Sequence, residues 1–269
     1  MTNLTPSKMT SAPTLQPKFL PNKHDLGIVA VGFSGGQVRP THAPPPILSP
    51  NKLTILFQPK AGVDAAPMAL IENGLIKQLE QDLDFNVTYD NQVHNYSSLR
   101  PASDPEVRKM KQPRFVSAVT KQVSDQVYAH AKTGKLVLTL GGDHSIAIGT
   151  VSGTAKAVRE RLGKEIAVIW VDAHADINTP ESSESGNIHG MPVAFLADLV
   201  DKKEELTEDV FGWLKEEHRI SPKKLVYIGL RDIDKGEKDI LRKHGIKAYS
   251  MHEIDRYVVF PVPDLGLGC

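Results

Sequence analysis

Residues 166–190 read IAVIWVDAHADINTPESSESGNIHG. The stretch opens on an unbroken apolar run, Ile166 to Val171. A run without alternation predicts a strand of a parallel sheet, buried on both faces. Asp172, His174 and Asp176 follow at alternate positions, which at strand spacing point the same way. Such donors are costly to gather at the mouth of a buried strand unless something pairs with them. A divalent metal is the natural partner, and a carboxylate-rich set with some imidazole favours Mn²⁺, Mg²⁺ or a similar ion. The plainer alternative is a polar strand end running into a turn.

Working outward, 136–140 is a second apolar strand, followed at once by Gly141-Gly142-Asp143-His144. The glycines permit a tight turn from strand to helix. His144 then stands at the C-terminal end of a strand, where open α/β sheets place their ligands. Asp143 is expected to orient a metal-binding histidine. Strands are also expected at 26–33, 85–89, 224–230 and 246–249. Helices are expected at 67–83, over 104–133 as one helix or two, and at 145–162, 192–199, 208–218 and 237–244. Ser103-Asp104-Pro105 reads as a helix start, and Gly163 as a helix stop. Strands alternating with helices predict a parallel, doubly wound sheet.

The chain has 269 residues, enough for one large α/β domain or two small ones. Lys+Arg and Asp+Glu number 32 each, which argues against a nucleic-acid or membrane surface. The single cysteine, Cys269, excludes an intrachain disulfide and a cysteine metal cage. No apolar run reaches the roughly 20 residues that span a bilayer. Residues 1–17 are rich in Thr, Ser and Pro and lack an apolar core. They read as a disordered tail of a cytoplasmic protein rather than a secretory signal, with an organellar presequence as the alternative. Residues 38–58 carry five prolines in 21 positions, which precludes helix and central strand.

GGDHS at 141–145 and DAHAD at 172–176 together resemble the ureohydrolase superfamily. NTPESSESGNIHGMP at 178–192 narrows the resemblance to the arginases, nearest the fungal ones. The resemblance covers 18–37 and 59–257. Removing 38–58 leaves GFSGGQPKAGVDAAP, a continuous arginase-like loop. It implies a three-layer doubly wound parallel sheet over 18–257, interrupted by a foreign loop at 38–58 and flanked by tails at 1–17 and 258–269. It also implies hydrolysis of L-arginine to L-ornithine and urea, with two Mn²⁺ per subunit lowering the pKa of a shared water. His144 and Asp176 would complete one metal site and His174 the other, with Asp172 bridging both. His189 would pass protons to the leaving amine, as suits a histidine. Asn178, Ser183, Ser185 and Asn187 would meet the α-carboxylate of arginine, and Asp234 its α-amino group. The family assembles as trimers or larger homo-oligomers. Agmatinase, the nearest rival, has no use for a carboxylate-binding loop.

The last twelve residues, VVFPVPDLGLGC, match nothing in the family. The family's later Asp-x-Asp metal pair is absent, as is a later Glu that holds the guanidinium. Family strands after residue 257 would lie between the strand at 136–140 and the one at 166–171. The sheet is therefore expected to be split there, and arginine hydrolysis to be poor or absent. The alternative is a catalytically dead arginase-derived product. Both foreign segments begin with Val, whose codons start with GT, and the first ends in Phe57-Gln58, compatible with TTTCAG. Translated introns are expected, which the nucleotide sequence would settle.

Overall fold

Strand β1, Asp25–Val31, is the axis of half the molecule. Its Leu26, Ile28, Val29, Ala30 and Val31 are all buried, because it has neighbours on both edges and layers on both faces. β4 (Asn86–Thr88) pairs with its first residues and β5 (Val93–His94) with its last, both in parallel. On the other edge β6 (Leu136–Leu140) pairs in parallel along its whole length. Helices α1 (Ala66–Glu72) and α2 (Leu75–Gln81) cover one face, where Leu79 packs with Leu26, Ile28, Ala30 and Leu140. The computed structural model describes residues 20–21, 24–39, 58–59, 62–201 and 206–259.

The other half is a second parallel sheet, ordered β7 (Val168–Val171), β8 (Leu225–Leu230), β9 (Lys247–Ser250). Among the described residues no strand joins β6 to β7, the place where the sequence reading put a break. One continuous core holds the halves together from a single side. It runs from Val29 and Val31 through Val116, Val119 and Val123 of α3 (Pro113–Ala131) and Ile148 of α4 (Ala147–Leu162) to Leu225 and Tyr227. Helices α5 (Pro192–Leu196), α6 (Lys235–His244) and α7 (Met251–Val259) complete the second half.

The apolar run before Asp172 does not behave as expected. Val168 and Trp170 pack on the core, but Ile169 and Val171 are 68% and 73% exposed. Nothing among the described residues covers that face, so the strand is buried on one side only. Covering such a side chain is worth about 1.5–3 kcal/mol, so this face is a standing deficit.

Three helical expectations also change. The expected 67–83 helix is two helices, because the chain turns at Gly74 with φ +89°. Residues 104–112 are not helical. Asp104 nevertheless caps a helix, accepting the Arg114 and Phe115 amides of α3 at 3.1 and 2.9 Å from ten residues upstream. Residues 208–218 are irregular turns, with Phe211 at φ +61°. There the Phe211 amide and the Trp213 indole both donate to Ser117 Oγ, a tertiary contact that overrides local pattern.

The ends of the proline-rich segment meet as a two-residue antiparallel ladder, β2 (Val38–Arg39) with β3 (Gln58–Pro59). Residues 40–57 and the expected tail at 1–17 lie outside the described residues; so do residues 260–269 of the expected tail at 258–269, whose first two residues end α7. No helix among those described is long and apolar enough to cross a membrane.

Candidate metal centre

His144 begins a single helical turn, His144–Ile146, straight off the end of β6. Asp172 follows β7, and its amide donates to the Ile228 carbonyl at 3.1 Å, so β8 anchors it. The residues after it are loop rather than strand, and Asp176 sits at φ +48°, in the left-handed region. Alternation along a strand therefore does not aim these side chains. A curl does, and Tyr227 steadies it by donating from its buried hydroxyl to the Ala175 carbonyl at 2.7 Å.

The curl carries Asp176 beneath His144, with His144 Nδ1 2.6 Å from Asp176 Oδ2 and 3.1 Å from Asp172 Oδ2. One ligand atom from each of the three lies within 4.8 Å of the others. The hydrogen bond to Asp176 holds the His144 pKa above its usual value. The charges of Asp176, Asp172 and Asp143 add to this and outweigh burial. Two carboxylates and an imidazole, with no thiolate, fit a hard divalent ion such as Mn²⁺. The fourth expected ligand stands aside. His174 is half exposed, 3.6 Å from Asp172 Oδ1 and 3.4 Å from Asp232 Oδ2.

The ten residues assigned from sequence to metal, substrate or proton transfer line one cavity of about 710 Å³: His144, Asp172, His174, Asp176, Asn178, Ser183, Ser185, Asn187, His189 and Asp234. Asn178 donates through Nδ2 to Asp234 Oδ2 at 2.6 Å and accepts from Ser182 Oγ at 2.7 Å. Ser183 Oγ accepts the Gly186 amide at 3.1 Å and Ser185 Oγ the Asn187 amide at 3.2 Å. These hydroxyls shape the loop while their own protons remain able to donate. His189 Nδ1 lies 2.9 Å from the Gly36 carbonyl. The amides of Arg231 and Asp232 both donate to the Ala173 carbonyl, at 2.9 and 3.0 Å, bracing the end of β8.

Glu237 escaped the sequence reading. It is 4% exposed, lines the cavity, and is pushed up to about 7, first by burial and then by Asp234. It forms a capping box with Asp234, whose Oδ1 accepts the Glu237 amide at 2.9 Å, while Glu237 Oε2 accepts the Asp234 amide at 3.3 Å. The Asp-x-x-Glu spacing at 234–237 was the available signal. Asp143 corrects another expectation. It is buried but bonds no histidine; its carboxylate accepts the amides of Gly36, Gln37 and Ser145.

The sequence description of the Arginase family matches residues 52–263. An arginase of Emericella nidulans is 56% identical over 259 residues, covering 96% of this chain and 72% of that protein. An arginase of Neurospora crassa is 58% identical over 254 residues, covering 94% and 64%. Among solved structures, a cold-adapted arginase from the yeast Glaciozyma antarctica superposes with a TM-score of 0.63 at 40% identity, covering 89% of this chain and 67% of that one. The chain thus spans about two thirds to three quarters of the length of these relatives.

Proposed function

The chain belongs to the arginase family, and from that premise we propose that it carries the hydrolysis of L-arginine to L-ornithine and urea, impaired by the missing Asp-x-Asp pair, in the cavity between the ends of β6 and β7. The observation that carries this reading is the convergence of His144, Asp172 and Asp176 within 4.8 Å, in the same cavity as the Ser- and Asn-bearing loop.

In this reading His144, Asp172 and Asp176 would hold one manganese ion, and His174 with Asp172 would contribute to a second. Bound there, manganese supplies the charge that makes a water nucleophilic near neutral pH. The rest is the work of the chain's own side chains. Ser183, Ser185, Asn178 and Asn187 offer neutral donors to the α-carboxylate of arginine. Asp234 accepts the α-ammonium. In the free chain Asp234 is bonded to Asn178 Nδ2 at 2.6 Å, so substrate exchanges one partner for another. His189 takes up a proton at Nε2 and passes it to the departing amine. We place the protein in the cytoplasm as a homo-oligomer, a trimer or larger, after the family pattern.

A second reading, a chain that binds one ion and does not turn over, is favoured by His174 standing outside the group of three ligands. The test is urea release by the 269-residue chain with added Mn²⁺, on arginine and on agmatine. Urea from arginine alone, falling about 10²–10⁴-fold in His189→Asn as loss of a general acid implies, supports hydrolysis. Manganese binding without urea supports the second reading. Equal turnover of agmatine removes the substrate assignment.

A further inference from the structure

The metal ligands account for neither Asp143 nor the loop facing it, though Asp143 is among the most buried charged groups, at 1% exposure. Its Oδ2 accepts the Gly36 amide at 2.7 Å and the Gln37 amide at 3.2 Å. Its Oδ1 accepts the Ser145 amide at 2.9 Å and the Ser145 hydroxyl. The Asp143 amide itself donates to the Phe33 carbonyl at 2.8 Å. The loop 34–37 is thus pinned against the end of β6.

On its other side that loop meets His189. The Gly36 carbonyl accepts both the His189 amide, at 3.2 Å, and the His189 ring through Nδ1, at 2.9 Å. A carbonyl only accepts, so Nδ1 carries a proton. Neutral His189 is then the Nδ1–H tautomer, with the lone pair left on Nε2 in the cavity it lines. The Gly36 carbonyl and the Gln37 amide belong to one peptide unit. That unit is bonded to His189 at its oxygen and to the Asp143 carboxylate at its nitrogen. Each bond polarises the next, so the carboxylate strengthens the acceptor that holds the ring. A carboxylate that orients a catalytic imidazole usually touches it; here one peptide lies between them. The packing leaves no room to vary the joint. A Cβ on Gly36 would fall 2.6 Å from Ser145 Cβ and 2.7 Å from Asp143 Oδ1, far inside contact distance.

We propose that Asp143 is a positioning residue for His189, fixing the tautomer and aim of its ring through the Gly36–Gln37 peptide. The proposal rests on the reading of His189 as the proton donor, but its structural half can be tested without turnover.

The experiment uses the whole chain with ¹⁵N-labelled histidine and long-range ¹H–¹⁵N spectra. Of its ten histidines, His189 is assigned by its absence from His189→Asn. The wild-type spectrum is expected to show His189 with a protonated Nδ1 and a bare Nε2. A bare Nδ1 overturns the proposal outright, whatever the variants do. Asp143→Asn cannot accept all four donors, so it is expected to move His189 toward the Nε2–H tautomer. It should also lower kcat about 10-fold or more, part of the 10²–10⁴ that general acid–base catalysis contributes, with KM and Mn²⁺ affinity little changed. If Asp143→Asn does not fold, Gln37→Pro, which removes the linking N–H and leaves Asp143 in place, carries the same expectation. Weakened Mn²⁺ binding with unmoved His189 signals would assign Asp143 to His144 instead and overturn the proposal. If the tautomer is as expected and no urea is made, the arginase reading fails while the positioning role stands.

Discussion

Strands β6 and β7 end at the same cavity but sit in unlike surroundings. β6 is the outer strand of a half-sheet covered on both faces, and its partner β1 is buried from Leu26 to Val31. β7 is the outer strand of a half-sheet covered on one face, with Ile169 and Val171 in the open. Each strand has an unpaired edge toward the other among the described residues, yet His144 from one and Asp172 from the other come within 3.1 Å. The difference teaches what holds the site. Strand pairing does not cross the seam. The shared helical layer does, together with contacts such as His189 to Gly36 and His144 to Asp176.

The contrast is broken most directly by making the same change in both halves. Ile28 in β1 is 2% exposed, so Ile28→Ala is expected to cost about 2–5 kcal/mol, the range for truncating a buried aliphatic side chain. Ile169→Ala in β7 is expected to cost at most about 0.5 kcal/mol, as an exposed position should. Urea denaturation of both variants measures the pair. A comparable loss at Ile169 would mean that its face is covered in solution.

A smaller effect tests the seam itself. Asp176→Asn removes a ligand contributed by the second half while leaving the packing intact. Its Mn²⁺ affinity, read by calorimetry, should drop by at least the roughly 10–100-fold that even outer-sphere substitutions cost. Because His144 holds its proton above the usual range through Asp176, binding to the parent chain should release protons and weaken as pH falls. Unchanged affinity in the variant would place the ion elsewhere.

The smallest effect concerns Glu237, at the edge of the second half. Its pKa, pushed up to about 7 from an ordinary 4.5, means that the folded chain holds this proton more tightly than the unfolded chain does. Its favourable contribution is complete below the unfolded value and is lost as pH rises through about 7. Glu237→Gln should flatten the fall in metal-free stability across that window. An unaltered pH slope would mean that Glu237 ionises in the fold as it does in the open chain.

Much of this was legible in the one-dimensional pattern. The strands at 26–33, 136–140 and 224–230 were found because unbroken apolar runs bounded by Gly, Asp or Arg have few other solutions. Nine of the ten residues proposed for the site stand in GGDHS, DAHAD and the NTPESSESGNIHG loop, which are long and specific, and Asp234 stands in RDID; all ten line one cavity. The misses share a cause. Asp104 caps a helix ten residues away, Phe211 is turned by Ser117, and Asp143 serves a loop more than one hundred residues upstream. None of these partners lies within the window that a periodicity argument can see.

What the sequence determined by itself was the chemistry available: which residues carry oxygen and nitrogen donors, and that His144 and Asp172 follow apolar strands. The strand periodicity and the turn residues are local properties, so they are readable locally. Only the tertiary structure decided which of the donors meet. Asp176 reaches His144 through a left-handed curl, His174 stays outside, and the exposure of Ile169 and Val171 depends on what lies across the seam. Burial and convergence are properties of distant segments brought together, and an apolar run reads the same whether one face or both are covered.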